Sequence, residues 1–404
     1  MSPNVNGIPQ LLHQQSAGLI KADYTRQQFT SWAASKLSVS KLKDVDTNCH
    51  SAGVTCLDID QDEGRYILNG CGDGTIYIHD IQSNPSELAL YIGRSNKHSH
   101  KHYVGTVGWG SDTGLFITSS RDGVLKVWDT NCGRPAEQFT IGGVINRHAA
   151  AKPEVGTIVA VAGETNHVTL IDLKSGSTSH VLRGHTAEVV TLAWSLGQPN
   201  ILATGGADNK VMLWDVRQAR SYLQYLDYNN VRFKRSKDIT LSGSSHQNPV
   251  HGLVFTGCGR YLISLGKDKR IRKWDTMTGK NLKTKFAEVN TSCKSAVDIV
   301  CSSRGARDFL FVPEKSFILM IDLQTGKTVR PLVGHYGSVA AMAYSSANME
   351  LYSGAKDKHI LIWEPETTKV KAWLDHNNKV EDDPDETQTG MSHITRDTWS
   401  SDED

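Results

Sequence analysis

A chain of 404 residues with formal net charge +1, 38% hydrophobic residues, 35 glycines and 9 tryptophans has the composition of a folded, turn-rich protein rather than a disordered one, and its length suits either two or three average domains or one repeat architecture. The near-neutral balance provides no long-range field for a nucleic acid or a membrane surface. Seven scattered cysteines without a C-x-x-C pair, no leader-like start and no apolar run approaching about 20 residues predict an intracellular, soluble protein with reduced thiols, no zinc site and no membrane partner.

The first segment, "IPQLLHQQSAGLIKADYTRQQFTSWAASKL" at 8–37, differs in composition from the rest of the chain. Leu11, Leu12, Leu19 and Ile20 bracket Gly18, and Phe29, Trp32 and Leu37 have near-helical spacing. The pattern predicts a short helix, a break and a second helix, a segment suited to folding on a partner.

A repeat then begins. "GRYILNGCGDGTIYIHD" (64–80), "DTGLFITSSRDGVLKVWD" (112–129), "NILATGGADNKVMLWD" (200–215), "GRYLISLGKDKRIRKWD" (259–275) and "MELYSGAKDKHILIWE" (349–364) each read as strand, tight turn, strand. Two weaker copies, "GTIVAVAGETNHVTLID" (156–172) and "RDFLFVPEKSFILMID" (307–322), fill the gaps. The closing acidic residues at 80, 129, 172, 215, 275, 322 and 364 are separated by 49, 43, 43, 60, 47 and 42 residues, near the period of about 40 to 45 of four-stranded propeller blades, with the surplus in loops. The largest insertion falls at 216–247.

The units resemble WD repeats. His185, Thr204, Asp208 and Trp214 match that family's buried hydrogen-bond set, as do His246, Ser264, Asp268 and Trp274, and His335, Ser353, Asp357 and Trp363. The resemblance implies a turn carboxylate accepting from the histidine, which also meets the strand hydroxyl and the indole N–H; such groups can be buried because they satisfy one another. His102, Thr118, Asp122 and Trp128 match with a shortened spacing, and the first unit keeps His50 and Asp73 with Asn69 and His79 at the other places. The third and sixth units lack both the Trp and the turn Asp, so packing is expected to hold them. The expected fold is all-β, a seven-bladed propeller, closed by an outer strand from either 370–375, "VKAWLD", or 37–45.

Several signals point to less than they suggest. "GCGDGT" at 70–75 leads into a strand and lacks the Lys-Ser/Thr of a phosphate loop. "KHSHKH" at 97–102 packs three histidines together, but the blade pattern claims His102, and His98 and His100 read as a solvated loop. Neither H-E-x-x-H nor G-x-S-x-G occurs, so no catalytic residue, cofactor or metal is expected, and the protein reads as a binder rather than an enzyme. The basic run "VRFKRSKD" at 231–238, with Phe233 beside it, suits either a solvated loop or contact with phosphates; the overall charge argues against direct DNA binding.

The end, "KVEDDPDETQTGMSHITRDTWSSDED", is acidic and poor in large apolar residues, which predicts a disordered tail in which Ser400 and Ser401, ahead of acidic residues, are candidate phosphorylation sites. The domain reading is a helical partner-binding segment at 1–45, a propeller at 46–375 and the tail at 376–404. Among the units, one alone reads W-D-x-R, with Arg217 two places after Asp215; the preceding unit has Lys174 there. The turn after the third strand lies opposite the histidine-bearing loops, so Arg217 is expected at that rim.

A W-D-x-R arginine resembles the box by which WD-repeat substrate receptors dock on the damaged-DNA-binding adaptor of cullin-RING ubiquitin ligases. That resemblance implies an adaptor contact through Arg217 and Lys174, with Leu11, Leu12, Leu19 and Ile20 as a second foothold. The stretches "LLHQQSAGL", "SAGVTCLDID", "DLKSGSTSHVLRGH", "ILATGGADNKVMLWDVR" and "DTWSSDED" resemble the nuclear receptors of transcription-coupled nucleotide excision repair. They imply cullin and RING subunits as indirect partners, and repair factors at lesion-stalled RNA polymerase II as cargo. The competing expectation is a propeller scaffold in chromatin or RNA processing, without a ligase.

Overall fold

The computed structural model describes residues 50–365 apart from 62, 84–86, 111–112, 152–156, 218–222, 231–242, 292–295 and 303–306, together with residues 27, 30, 31, 33–40 and 45. Among them the strands form seven four-stranded antiparallel sheets. Six sheets are consecutive in sequence: Val54–Ile92, Val104–Thr140, Ile145–Arg183, Val189–Tyr225, Val250–Asn281 and Val300–Val333. The seventh takes three strands from Val339–Pro365 and its fourth from Leu37–Val39, paired antiparallel with Leu37 opposite Pro365 and Val39 opposite Trp363. The ring therefore closes with the strand near the start of the chain, and of the two strands considered for that role the one at 370–375 lies outside the described residues. The propeller thus begins ahead of the boundary drawn at 45 and 46.

The first strand of each blade touches the first strand of the next, and that of the seventh touches that of the first, so these strands surround the centre. Seven apolar clusters fill the interfaces between neighbouring blades. Strands sandwiched by neighbours are apolar or small on both faces: Ile201–Gly206 and Val211–Asp215 are buried throughout, whereas the outer strand Ser177–Arg183 is largely exposed. At one register the blades approach closely enough to require glycine. A Cβ on Gly70, Gly205 or Gly354 would lie 2.7, 2.8 or 2.5 Å from the first valine of the next blade, Val104, Val250 or Val54.

Two local devices repeat. The inner strands of six blades are bulged at their second residue, as between Val54 and Cys56 or Val189 and Thr191, which adds the twist a blade needs. The residue after each turn aspartate has positive φ: Gly74 91°, Gly123 78°, Asn209 65°, Lys269 62° and Lys358 71°. Two of these are lysines, residues that ordinarily avoid this region, held there by the turn.

The front segment contributes to the ring as well. Residues 27, 30, 31 and 33–35 are helical. Ser31 Oγ accepts from the Arg307 amide at 2.9 Å, and Ala34 and Leu37 join Phe309, Phe311 and Trp363 in one apolar cluster. Leu37, which fits both the helical spacing of 29–37 and the start of a closing strand at 37–45, opens the strand.

Candidate docking face

The buried sets form directed chains. In the fourth blade the Trp214 indole donates to Thr204 Oγ1 at 2.8 Å, Thr204 Oγ1 meets His185 Nε2 at 2.8 Å, and His185 Nδ1 lies 2.9 Å from Asp208. One proton order satisfies every member: indole to hydroxyl, hydroxyl to Nε2, Nδ1–H to carboxylate. The indole thus reaches the hydroxyl rather than the imidazole. The Thr186 amide donates to Asp208 at 3.0 Å, tying the next loop down. Trp274, Ser264, His246 and Asp268 repeat the chain at 2.8, 2.7 and 3.0 Å, and Trp363, Ser353, His335 and Asp357 at 2.7, 2.8 and 3.0 Å. Burial holds the His246 and His335 imidazoles below their ordinary titration range.

The second blade corrects the sequence reading. Its histidine is His100, not His102: His100 Nε2 meets Thr118 Oγ1 at 2.7 Å, His100 Nδ1 meets Asp122 at 3.1 Å, and Trp128 donates to Thr118 at 2.8 Å. His100 is buried rather than in a solvated loop. The 22-residue interval to Asp122 equals those of His246 to Asp268 and His335 to Asp357, a signal that the shortened spacing of His102 should have raised. Although burial opposes it, hydrogen bonds from His100 and the Lys101 and Val124 amides hold the Asp122 carboxyl down to about 2. In the first blade His50 Nε2 lies 3.4 Å from Asn69 Nδ2 and 3.2 Å from His79, bringing those three together, but its Nδ1 meets the Lys358 carbonyl at 2.9 Å rather than Asp73, which accepts from Ser51 and Thr75. Among the described residues no three His, Cys, Asp or Glu side chains are placed to hold a metal, and no helix is long and apolar enough to cross a membrane.

At the opposite end of six blades the last residue of the third strand builds a second repeated feature. Asp80, Asp129, Asp172, Asp215, Asp275 and Asp322 each accept from the amide two places on, at 2.7 to 3.1 Å. This turn fixes what is shown at that place: Gln82, Asn131, Lys174, Arg217, Met277 or Gln324. Arg217 alone there is an arginine, and it folds back on its own anchor, Nε to Asp215 Oδ1 at 2.9 Å and Nη2 to Oδ2 at 2.6 Å. The Arg217 side chain is 67% exposed and that of Asp215 only 5%, so a buried carboxylate aims an exposed guanidinium. That bidentate contact holds the Asp215 carboxyl below, and the Arg217 guanidinium above, their ordinary values. Arg65 makes a similar pair with Asp80, but it comes from the preceding hairpin and lies over the Tyr66 ring.

Lys174 occupies the register of Arg217 one blade earlier and is exposed. Two large apolar side chains share this end of blades four and five: Leu196, 44% exposed, and Met277, 69% exposed. Met277 stands at the Arg217 register and was readable from the repeat; Leu196 lies in a hairpin turn that carries no such pattern. Leu11, Leu12, Leu19, Ile20, Ser400, Ser401 and the basic run at 231–238 lie outside the described residues.

The pattern described as WD domain, G-beta repeat, matches residues 42–80, 94–129, 176–215, 238–275 and 326–364. The chain is a WD-repeat propeller. The five matches fall on blades one, two, four, five and seven, and skip the two without the turn Asp and the Trp. Over 88% of its length the WD-repeat chain is 28% identical to the WD repeat-containing protein ATCSA-1 of Arabidopsis thaliana, covering 94% of that protein. It is also 28% identical, over 44% of its length and 39% of the relative, to Radiation-sensitive protein 28 of Saccharomyces cerevisiae. Over 75% of its length it is 22% identical to the ribosome biogenesis protein ytm1 of Schizosaccharomyces pombe, covering 72% of that protein. WD-repeat propellers are generally non-catalytic scaffolds.

Proposed function

We propose that this chain is a substrate receptor of a cullin-RING E3 ubiquitin ligase, of the kind exemplified by the Cockayne syndrome group A protein, acting in transcription-coupled nucleotide excision repair. The observation that carries the reading is Arg217, a 67% exposed guanidinium aimed by buried Asp215 at the end of the one W-D-x-R strand. A planar donor fork suits a carboxylate or backbone carbonyl of the damaged-DNA-binding adaptor. Leu196 and Met277, exposed at the same end of blades four and five, supply apolar area that a polar contact alone lacks. The extended similarity to ATCSA-1 and the partial one to a radiation-sensitivity protein are in keeping with a repair role. Under this reading the site of action is the nucleus, the cullin and RING subunits are reached only through the adaptor, and ubiquitin transfer belongs to them. Repair factors and RNA polymerase II at stalled sites are the cargo.

The test is Arg217→Glu in cells, followed by affinity purification and by titration of the pure protein with the adaptor. The expected result is an unchanged melting temperature, an adaptor Kd raised at least about tenfold, or ~1.4 kcal/mol, and loss of the cullin. Wild-type protein that purifies without any cullin would mark a scaffold instead. The second foothold is tested by deleting residues 1–26, a cut that spares Ser31, Ala34 and Leu37, which belong to the ring. The deletion is expected to weaken adaptor binding and leave the fold intact.

A further inference from the structure

On the face opposite Arg217, the junction of the first two blades holds a cleft of about 420 Å³ lined by Gly72, Asp73, Arg94, Lys101, His102, Tyr103 and Arg121. Three loops build it: the turn of blade one at 72–75, the connection into blade two at 93–103, and the turn of blade two at 121–123. Arg94, Lys101 and Arg121 are exposed, and the single carboxylate among the lining residues is Asp73, so cations outnumber anions three to one.

The lining is arranged rather than loose. Arg94 donates from Nε to the Asp73 carbonyl at 2.9 Å and lies 3.8 Å from the Asp73 carboxylate, while its side chain is 70% exposed. The Arg121 guanidinium lies 5.5 Å from the Tyr103 ring centroid, and its amide donates to the Tyr103 carbonyl at 3.1 Å. The Lys101 amide is fixed by Asp122 at 3.1 Å, which sets where its ammonium leaves the loop. Ser51 and Thr75 hold the Asp73 carboxylate at the wall. The floor is open: a Cβ on Gly72 would meet nothing nearer than 3.7 Å, with Tyr103 at 4.0 Å, and Gly72 does not have positive φ.

We propose that this cleft is the docking site for an acidic peptide segment of a partner protein, with one carboxylate side chain seated between Arg94, Lys101 and Arg121 and its stem against Tyr103. Two guanidinium forks and an ammonium give charge-assisted donors from three sides, and the volume suits a side chain rather than a folded element. Asp73 at the wall disfavours a compact dianion, so carboxylates spaced along a peptide fit better than phosphate groups. The near-neutral whole-chain charge leaves this as a local patch rather than a track for a nucleic-acid backbone. In the receptor reading this face takes the cargo; the proposal deepens that reading, yet its chemistry does not depend on adaptor binding.

The experiment uses the full chain and a fluorescein-labelled peptide of about ten residues alternating Glu with Gly and Ser, beside its Gln counterpart and a single-stranded oligonucleotide of equal charge. The expected result is saturable binding of the Glu peptide by wild type that weakens with salt and exceeds binding of the Gln peptide and the oligonucleotide. Arg94→Glu with Arg121→Glu reduces it at least about tenfold. Gly72→Leu, which fills the floor without touching a charge, does the same, and both variants keep wild-type melting and wild-type adaptor binding. Lys101→Ala, an exposed single change, gives a smaller loss and keeps the test decisive should the double reversal fail to fold. Absence of saturable Glu-peptide binding, equal binding by wild type and the variants, or the same residue dependence for the oligonucleotide alone would overturn the proposal. Because adaptor binding is measured in parallel, failure of the cleft is separable from failure of the receptor reading.

Discussion

Blades three and four have the same strand order, and their second and third strands map on one another at an interval of 43 residues, Gly163 on Gly206 and Asp172 on Asp215. Where blade four has Thr204, Asp208 and Trp214, blade three has Val161, Thr165 and Ile171, and its loop at 141–144 holds no histidine to match His185. Val161 and Ile171 are buried in an apolar cluster with Ile117 and Leu125, and the sheet pairs in the same register without a single member of the polar chain. Yet the turn at the other end is retained in both, Asp172 and Asp215 each accepting from the amide two places on. The histidine chain is thus one of two ways to fill a blade, whereas the terminal aspartate fixes the turn that follows in either blade. What differs there is the side chain itself, Lys174 against Arg217.

The comparison breaks most visibly at the buried indole. Trp214 is 1% exposed and caps the chain from the packed side. Trp214→Ala is expected to lose ~3 to 5 kcal/mol in chemical denaturation, from the cavity together with the lost indole hydrogen bond to Thr204. Trp214→Ile, borrowing the blade-three residue alone, should also destabilise, because Thr204 and His185 would remain without the apolar replacements that blade three has. A stable Trp214→Ile variant would mean that the two fillings mix freely.

Asp208→Ala comes next, at ~1 to 3 kcal/mol, since it strands His185 Nδ1 and the Thr186 amide. Thr165→Ala at the matching place in blade three should stay within about 0.5 kcal/mol, there being no imidazole to satisfy. Equal losses would show that the turn, not the chain, carries the stability.

How much of the molecule is readable in the sequence depends on how local each feature is. The blade ends at 80, 129, 172, 215, 275 and 322 were legible because strand, turn and strand lie within about 17 residues and repeat. The closing strand was legible only as one of two alternatives, because Leu37 meets Pro365 across the whole chain. His100 was missed by preferring the histidine adjacent to the blade over the interval that the other sets obey. The Arg147–Asp298 ion pair, between the inner strand of blade three and the residues leading into that of blade six, and the cleft assembled from three loops belong to tertiary structure alone. Arg217 was readable as a rim residue, but not that Asp215 would clasp it.

A third carboxylate sharpens the contrast between paired and unpaired aspartates. Asp58, on the inner strand of blade one, accepts only from the Ile59 and Trp109 amides, both at 2.9 Å, among its hydrogen bonds to described residues. Burial pushes its carboxyl up to about 6, where Asp208, with His185 beside it, is held below the ordinary 3.8 in spite of its own burial. The folded ring therefore takes up a proton at Asp58 before the unfolded chain does, and the penalty carried at neutral pH is relieved as pH falls through 6 toward 3.8. Asp58→Asn removes that relief. Measured by denaturation, the stability of wild type relative to the variant should improve by about 1.4 kcal/mol between pH ~7.5 and ~5. A pH-independent difference would mean that Asp58 is ionised throughout.

The smallest expected effect isolates the aiming of Arg217 from its charge. In Asp215→Asn the turn survives, because the amide oxygen still accepts from the Arg217 N–H, but the second carboxylate oxygen that completes the fork is gone. Arg217 keeps its charge and its exposure and loses only its fixed direction. The guanidinium must then be ordered when the adaptor binds, which is expected to raise the Kd roughly threefold, ~0.7 kcal/mol, against the tenfold or more of Arg217→Glu. Arg217→Lys, which keeps charge without a planar fork, should fall with it. A salt titration separates the two effects: the charge-retaining variants should keep the wild-type salt dependence of adaptor binding, and Arg217→Glu should lose it. If Asp215→Asn binds as wild type does, the clasp seen in the free protein is not the geometry the adaptor uses; if it falls as far as Arg217→Glu, the carboxylate itself is part of the contact.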